Sequence, residues 1–197
     1  MDIYSIAAAV STILAIYCGI PYIRSVLNGK TKPHQLSWAV FCIMNGMVFF
    51  AQYLAGGRKS TLISLTFFVY SFAIFVLSFK KGTRNTSKAD KSLFAFALLA
   101  IVVWALTRNN ALAIWLTLLI DLAATTMIVL KIRVHPSSED PKSWFFGVLA
   151  YSFSCITLID IHPGILYVRP IYGLLSDAAI VAAVYAYRGR RSQYRGK

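Results

Sequence analysis

Apolar runs of close to twenty residues constrain this chain more than any other feature. Hydrophobic residues make up 58% of the 197 residues and charged residues only 14%. A helix of about twenty apolar residues crosses the ~30 Å hydrocarbon layer of a bilayer. The sequence therefore predicts an all-α integral membrane protein with seven transmembrane helices, which we place at 3–22, 36–56, 60–79, 92–107, 111–131, 144–161 and 165–187.

An internal repeat relates the beginning of the chain to its end. Trp38 follows Pro21 by seventeen residues across a basic loop, and Trp144 follows Met127 by the same spacing, 106 residues later. Such self-similarity is strong evidence about architecture. Short loops make helices 1 and 5 run in the same direction, so helices 1–3 and 5–7 are expected to form parallel copies. Parallel repeats are a known transporter plan, with the solute bound between them near the membrane midplane.

This repeat predicts two parallel three-helix bundles joined by a linker helix. The expected divisions are 1–80 for the first repeat, 81–110 for a basic cytoplasmic loop with the linker helix, 111–187 for the second repeat and 188–197 for a basic cytoplasmic tail.

The basic residues predict the orientation of the chain. A net charge of +13 would indicate nucleic acid in a soluble protein. Here sixteen of the twenty Lys and Arg residues lie in the odd-numbered loops and the tail, and the other side holds only Arg58, Lys59, Arg108 and Arg169. Because basic residues concentrate on the cytoplasmic side, we expect an inner-membrane protein with its N-terminus outside and its C-terminus inside. Its partners would be the lipid bilayer and a solute, not nucleic acid.

Short motifs in the repeat resemble those of a transporter superfamily. The segments Gly19-Ile20-Pro21-Tyr22, Gly29-Lys30-Thr31 and Ser37-Trp38 resemble the helix–loop–helix signature of the PQ-loop and SWEET/SemiSWEET superfamily of small-solute transporters. A closer resemblance, to a group of bacterial seven-helix membrane proteins, lies in Pro33-His34, Pro170 and Tyr172. The resemblance implies three helices, one linker and three helices. It also implies a solute-binding position at Asp177, where the relatives usually have Asn.

Two carboxylates interrupt the apolar runs. Asp121 lies ten residues from the outer end predicted for helix 5, and Asp177 lies about twelve from that of helix 7. At 1.5 Å per residue, both are expected roughly 15–18 Å deep. An acid at that depth normally faces a cavity or a partner, and the sequence offers no basic residue near the predicted midplane. We therefore expect these two residues to line a solute cavity, with protons as a further partner; the alternative is a hydrogen-bonded acid that fixes helix packing.

Other polar residues are predicted at similar depth and complete the expected substrate-binding set: Asn45, Tyr70, Ser71, Ser152 and Tyr172. Pro21 removes one backbone hydrogen bond from helix 1 and is the predicted hinge. The His and Cys residues lack metal-ligand spacing, so no metal or cofactor is expected. No convincing nucleophile and base occur together, so no enzyme is expected.

Two functions remain open from the sequence. The first is a small-solute transporter, either a uniporter or a proton-coupled carrier. The second is a non-transporting sensor, scaffold or assembly partner on a transporter-like fold, since fold alone does not confer function. The sequence leaves a monomer and a homodimer both open.

Overall fold

Seven α-helices make up most of the residues that the computed structural model describes, which are 2–29, 32–84, 86–134, 141–159 and 164–195. No strand forms within these ranges. The helices are α1 (Ile3–Leu27), α2 (Gln35–Leu54), α3 (Thr61–Lys81), α4 (Lys88–Thr107), α5 (Asn110–Val134), α6 (Pro141–Ile156) and α7 (Ile165–Arg195), with a short 3-10 turn at Arg58–Ser60 before α3.

Five stretches of helix are long and apolar enough to cross a membrane: Ile3–Leu27, Gln35–Leu54, Arg58–Lys81, Lys88–Thr107 and Ile165–Tyr187. A sixth apolar stretch, Asn110–Thr126, is shorter. The described residues are therefore all-helical as predicted, and the apolar helices are compatible with a multi-pass membrane protein.

Several predicted helix ends are wrong. α1 continues through Pro21 to Leu27, so Arg24 belongs to the helix and not to the loop. Pro21 is exposed in α1, where its ring is not forced into a neighbouring helix. α4 begins at Lys88, four residues before the prediction, and α7 continues to Arg195, well into the predicted tail.

The early start of α4 has a local cause in a capping box. The Ser87 hydroxyl accepts a hydrogen bond from the backbone N–H of Asp90, and the Asp90 carboxylate accepts one from the backbone N–H of Ser87. This exchange satisfies N–H groups that a helix end leaves free. α1 begins in a similar way, because the Asp2 carboxylate accepts a hydrogen bond of 2.6 Å from the backbone N–H of Ser5.

The loop between α1 and α2 is joined to the loop between α3 and α4. The Thr83 N–H donates to the Pro33 carbonyl at 2.9 Å, and the Gln35 N–H donates to the Thr83 carbonyl at 3.0 Å. The Lys81 ammonium donates to the Leu27 carbonyl at 2.6 Å. A side chain at Gly82 would overlap the Pro33 carbonyl, so the absence of one permits this close approach of the two loops.

Two aromatic residues that flank the loop between α1 and α2 also contact each other. The Trp38 indole N–H donates to the Tyr22 hydroxyl at 3.2 Å, and their rings lie 5.1 Å apart. The Tyr70 ring of α3 lies perpendicular to the Trp38 ring, with ring centres 5.5 Å apart. Tyr22 and Trp38 therefore connect the last turns of α1 to the start of α2.

Helix contacts repeat between the two ends of the chain. α3 packs on both α1 and α2, and α7 packs on both α5 and α6. The two sets meet through α1 with α6 and through α2 with α5, while α4 packs on α2 and α5. The two contacts between the sets are equivalent. If α1 is replaced by α5 and α6 by α2, the contact between α1 and α6 becomes the contact between α5 and α2.

Candidate functional site

A buried ion pair joins α5 to α7. Arg169 donates a hydrogen bond from Nη1 to the Asp121 carboxylate. The two side chains expose only 7% and 15% of their surface, so the attraction between them is screened much less than on a protein surface. The expectation that no basic residue lies near Asp121 is therefore wrong.

Two tyrosines enclose the Arg169 guanidinium. Its central carbon lies 6.0 Å from the ring centre of Tyr151 on α6 and 5.9 Å from that of Tyr172 on α7. These distances are in the range of cation–π attraction. Arg169 also donates from Nη2 to the Tyr151 hydroxyl at 3.4 Å. Four side chains from α5, α6 and α7 therefore form one cluster.

The stagger between α5 and α7 explains why the sequence misplaced Arg169. Arg169 is the fifth residue of α7 and Asp121 is the twelfth of α5. α7 therefore begins about seven residues further along the shared axis, or about 10 Å at 1.5 Å per residue. Counting from the helix start put Arg169 at the outer surface, whereas it is buried beside the middle of α5.

Asp177 lies two turns further along α7, with one carboxylate oxygen against Gly147 of α6. It interacts electrostatically with Asp121 and Arg169 and with Cys18 of α1. Among the described residues, no group donates a hydrogen bond to this carboxylate or forms an ion pair with it. The Cys18 thiol instead donates to the Ser143 carbonyl at 3.5 Å.

Tyr172 contributes a second polar group that lacks a hydrogen bond. Its hydroxyl is buried and faces Thr125 of α5, but it makes no hydrogen bond of normal geometry within the described residues. A buried hydroxyl without a partner costs free energy. We therefore include Tyr172 with Asp121, Tyr151, Arg169 and Asp177 and call these five residues the charged cluster.

The remaining predicted residues do not join the charged cluster. Asn45 donates to the Ser71 hydroxyl at 3.4 Å, which links α2 to α3. Tyr70 packs against Gly19 of α1. The Ser152 hydroxyl donates to the Val148 carbonyl of its own helix at 2.8 Å.

Two cavities lie elsewhere. One, of about 250 Å³, lies between α2, α3 and α4 with Phe75 and Arg84 in its wall. The other, of about 640 Å³, is an open groove between α4 and α5. None of the residues predicted to bind solute lines either of these two cavities.

Matching contacts give the register of the repeat. Tyr70 meets Gly19, and Tyr172 faces Thr125, which follows Gly19 by 106 residues. Asn45 contacts Ser71. Tyr151, which follows Asn45 by 106 residues, contacts Gly173, which follows Ser71 by 102 residues. Tyr172 likewise follows Tyr70 by 102 residues, so both pairs of contacts align α3 with α7 at the same shift.

In this register the charges belong to one repeat only. The positions that correspond to Asp121, Arg169 and Asp177 are Ala15, Phe67 and Phe75. Phe67 stacks on Tyr151 with ring centres 5.5 Å apart. The first repeat therefore presents an apolar and aromatic side chain to a cluster whose charges all come from the second.

Sequence reasoning missed Arg169, Tyr151, Gly147 and Cys18. Arg169 carried a usable signal, because it shares one broad face of α7 with Gly173 and Asp177. Comparisons with protein-family models, with curated proteins and with solved structures gave no match to this chain. The chemistry of the charged cluster must therefore be argued from its own geometry.

Proposed function

We propose that this chain is a multi-pass membrane carrier of a small solute, of the PQ-loop and SWEET-like type. The proposed site lies between two parallel three-helix repeats, helices α1–α3 and α5–α7, with α4 as the linker. The exchange symmetry of the helix contacts supports this arrangement. The proposed mechanism is uniport or proton-coupled transport, in which one repeat rocks against the other around the site.

The charged cluster is the observation that carries this proposal. Asp121, Arg169 and Asp177 lie within the apolar stretches Asn110–Thr126 and Ile165–Tyr187, where each charge costs a few kcal/mol on insertion scales. A chain that needed only stable packing would do as well with apolar residues of similar volume. Charges retained at such a cost are typical of solute and ion pathways.

The ion pair also forms a contact between α5 and α7 that a solute could open. Asp121 and Arg169 belong to different helices, so any solute that competes for either one loosens the contact between α5 and α7. Opening of this contact would give the solute access to Asp177 and Tyr172.

A thermal-shift screen followed by transport into liposomes tests the proposal. Detergent-purified protein would be screened against sugars, amino acids, amines and vitamins, and each hit would be tested for uptake into proteoliposomes. A ligand at a hundredfold its dissociation constant that binds only the folded protein adds about 2.7 kcal/mol of stability. Saturable uptake that Asp177→Asn reduces is expected. Stabilisation without uptake, for every hit, would contradict transport.

The second candidate is a non-transporting sensor or scaffold, and the closed geometry of the ion pair favours it. Arg169 is enclosed by Asp121, Tyr151 and Tyr172, as expected of a group that fixes three helices together. In that case no solute is taken up by the wild type or by an Asp177 variant, and replacing Arg169 unfolds the protein.

A further inference from the structure

The charges of the charged cluster do not balance. Arg169 supplies one positive charge, and it is already paired with Asp121. Asp177 supplies a second carboxyl group, which has no partner of opposite sign within hydrogen-bond distance among the described residues. When this carboxyl group is ionised, its isolated charge in a low-dielectric interior is costly unless a counter-charge or a proton neutralises it.

The described groups around Asp177 offer no such counter-charge. α1 presents the neutral Cys18 thiol, α5 presents Asp121, and α6 presents Gly147 and the Tyr151 hydroxyl. Within α7 itself, Arg169 is eight residues away, about 12 Å along the axis, and Tyr172 is neutral. Within the described part of the chain, the cluster is therefore one positive charge short when Asp177 is ionised.

The two repeats contribute different chemistry around the charged cluster. The second repeat supplies every charge, whereas the first contributes Phe67, which stacks on Tyr151. Aromatic faces attract organic cations as well as apolar groups. A ligand that fits both sides has a positive end for Asp177 and an apolar body for the aromatic rings.

We propose that the site selects a small organic monocation, an amine whose ammonium group binds the Asp177 carboxylate. This inference rests on the proposed function and names its solute class. Amino acids and carboxylic acids lie outside the class, because their carboxylate would first have to displace Asp121 from the Arg169 guanidinium. Plain sugars lie outside it because they carry no positive charge, so that a proton would have to neutralise Asp177 instead.

A matched set of four-carbon ligands tests the charge class. Binding of n-butylamine, n-butanol, butyrate and 4-aminobutyrate to the detergent-purified protein would be measured by calorimetry at neutral pH. We expect n-butylamine to bind best. The Asp177→Asn variant should weaken its binding by roughly tenfold or more, as expected for loss of a charge-assisted hydrogen bond. Amine affinity should also fall as the pH is lowered, because protons compete for the same carboxylate.

Asp2→Asn is the control, since it makes the same chemical change at an exposed carboxylate at the start of α1. It should leave amine affinity unchanged. Tighter binding of butanol, butyrate or 4-aminobutyrate than of the amine would overturn the inference. So would an amine affinity that is equal in the wild type and in Asp177→Asn.

Uptake experiments separate this inference from the proposed function. Saturable uptake of a neutral or acidic solute, with no binding of the amine, leaves the carrier proposal intact and removes the monocation. If Asp177→Asn only abolishes the proton dependence of such uptake, then a proton occupies Asp177 and the inference fails. An absence of uptake for every solute that binds removes the carrier proposal, whereas amine binding through Asp177 would still stand.

Discussion

One carboxylate oxygen of Asp177 occupies the space in which a methyl group on residue 147 would stand. The two helices that carry these residues, α6 and α7, therefore pack with an acidic side chain between them. Gly147 is buried, and its lack of a side chain gives the carboxylate its position.

The Gly147→Ala variant should move the Asp177 carboxylate without unfolding the protein. Alanine is a better helix former than glycine by about 0.5–1 kcal/mol, and the group that it displaces is the end of a flexible side chain. Solute binding should fall while the midpoint of thermal unfolding is kept within a few degrees. The matched control is Gly164→Ala, because nothing lies within 4 Å of a methyl group there. Equal binding by both variants would contradict the proposed position of the site.

Removing one member of the buried ion pair should cost more than removing both. Asp121→Leu leaves Arg169 buried without a partner, and loss of one partner typically costs about 3–5 kcal/mol. The double variant Asp121→Leu/Arg169→Met has no buried charge left in the pair and should recover much of that loss. Thermal unfolding of both single variants and the double variant in detergent measures the coupling. Additive losses would show that the two residues do not act as a pair.

Trp38→Phe should loosen the contact between α1 and α2. It removes the indole N–H that bonds to the Tyr22 hydroxyl, and a hydrogen bond of this kind contributes about 0.5–1.5 kcal/mol. Tyr22→Phe should then cost less in the Trp38→Phe background than in the wild type. A double-mutant cycle on the unfolding midpoint checks this, and independent effects would refute the coupling.

Acid should weaken the contacts of Asp2 with Ser5 and with Lys59 of the 3-10 turn before α3. Hydrogen bonds from the Ser5 side chain, from Lys59 and from the Ser5 backbone lower the pKa of Asp2 to about 2. Because the pKa in the folded protein lies below the ordinary value of 3.8, the contact stabilises the protein above pH 3.8, and this stabilisation is lost as the pH falls towards 2. The wild type should therefore lose its advantage over Asp2→Asn across this range. Unfolding midpoints at pH 5, 4, 3 and 2.5 measure this loss, and a constant difference would contradict it.

The local parts of the fold could be read from the sequence more readily than its tertiary parts. Apolar runs predicted helices in the right places, because burial in lipid or protein requires apolar residues throughout a span. The start of α4 at Lys88, which was predicted four residues too late, could also have been predicted, since Ser87 and Asp90 have the spacing of a capping box. The end of α1 was misplaced because a basic loop was expected to follow Tyr22, whereas the helix continues to Leu27.

The charged cluster could not be predicted in full, because the spacing of residues along the sequence does not show how two helices are staggered against each other. Asp121 and Asp177 were recognised because each interrupts an apolar run. Their relation to Arg169 depends on the stagger of about 10 Å between α5 and α7, which no local pattern reports.

His135 and His162, which the sequence analysis found to lack metal-ligand spacing, lie outside the described residues.

The joined loops have a practical consequence for anyone who tags or labels this protein. An epitope inserted beside Thr83 would pull its N–H and carbonyl away from Pro33 and Gln35, and the damage would appear at the first turn of α2, some fifty residues earlier in the chain. An insertion between Pro33 and Gln35 would disturb the end of α3 in the same way. The two connections behave as one structural unit, so a probe placed in either one reports on both.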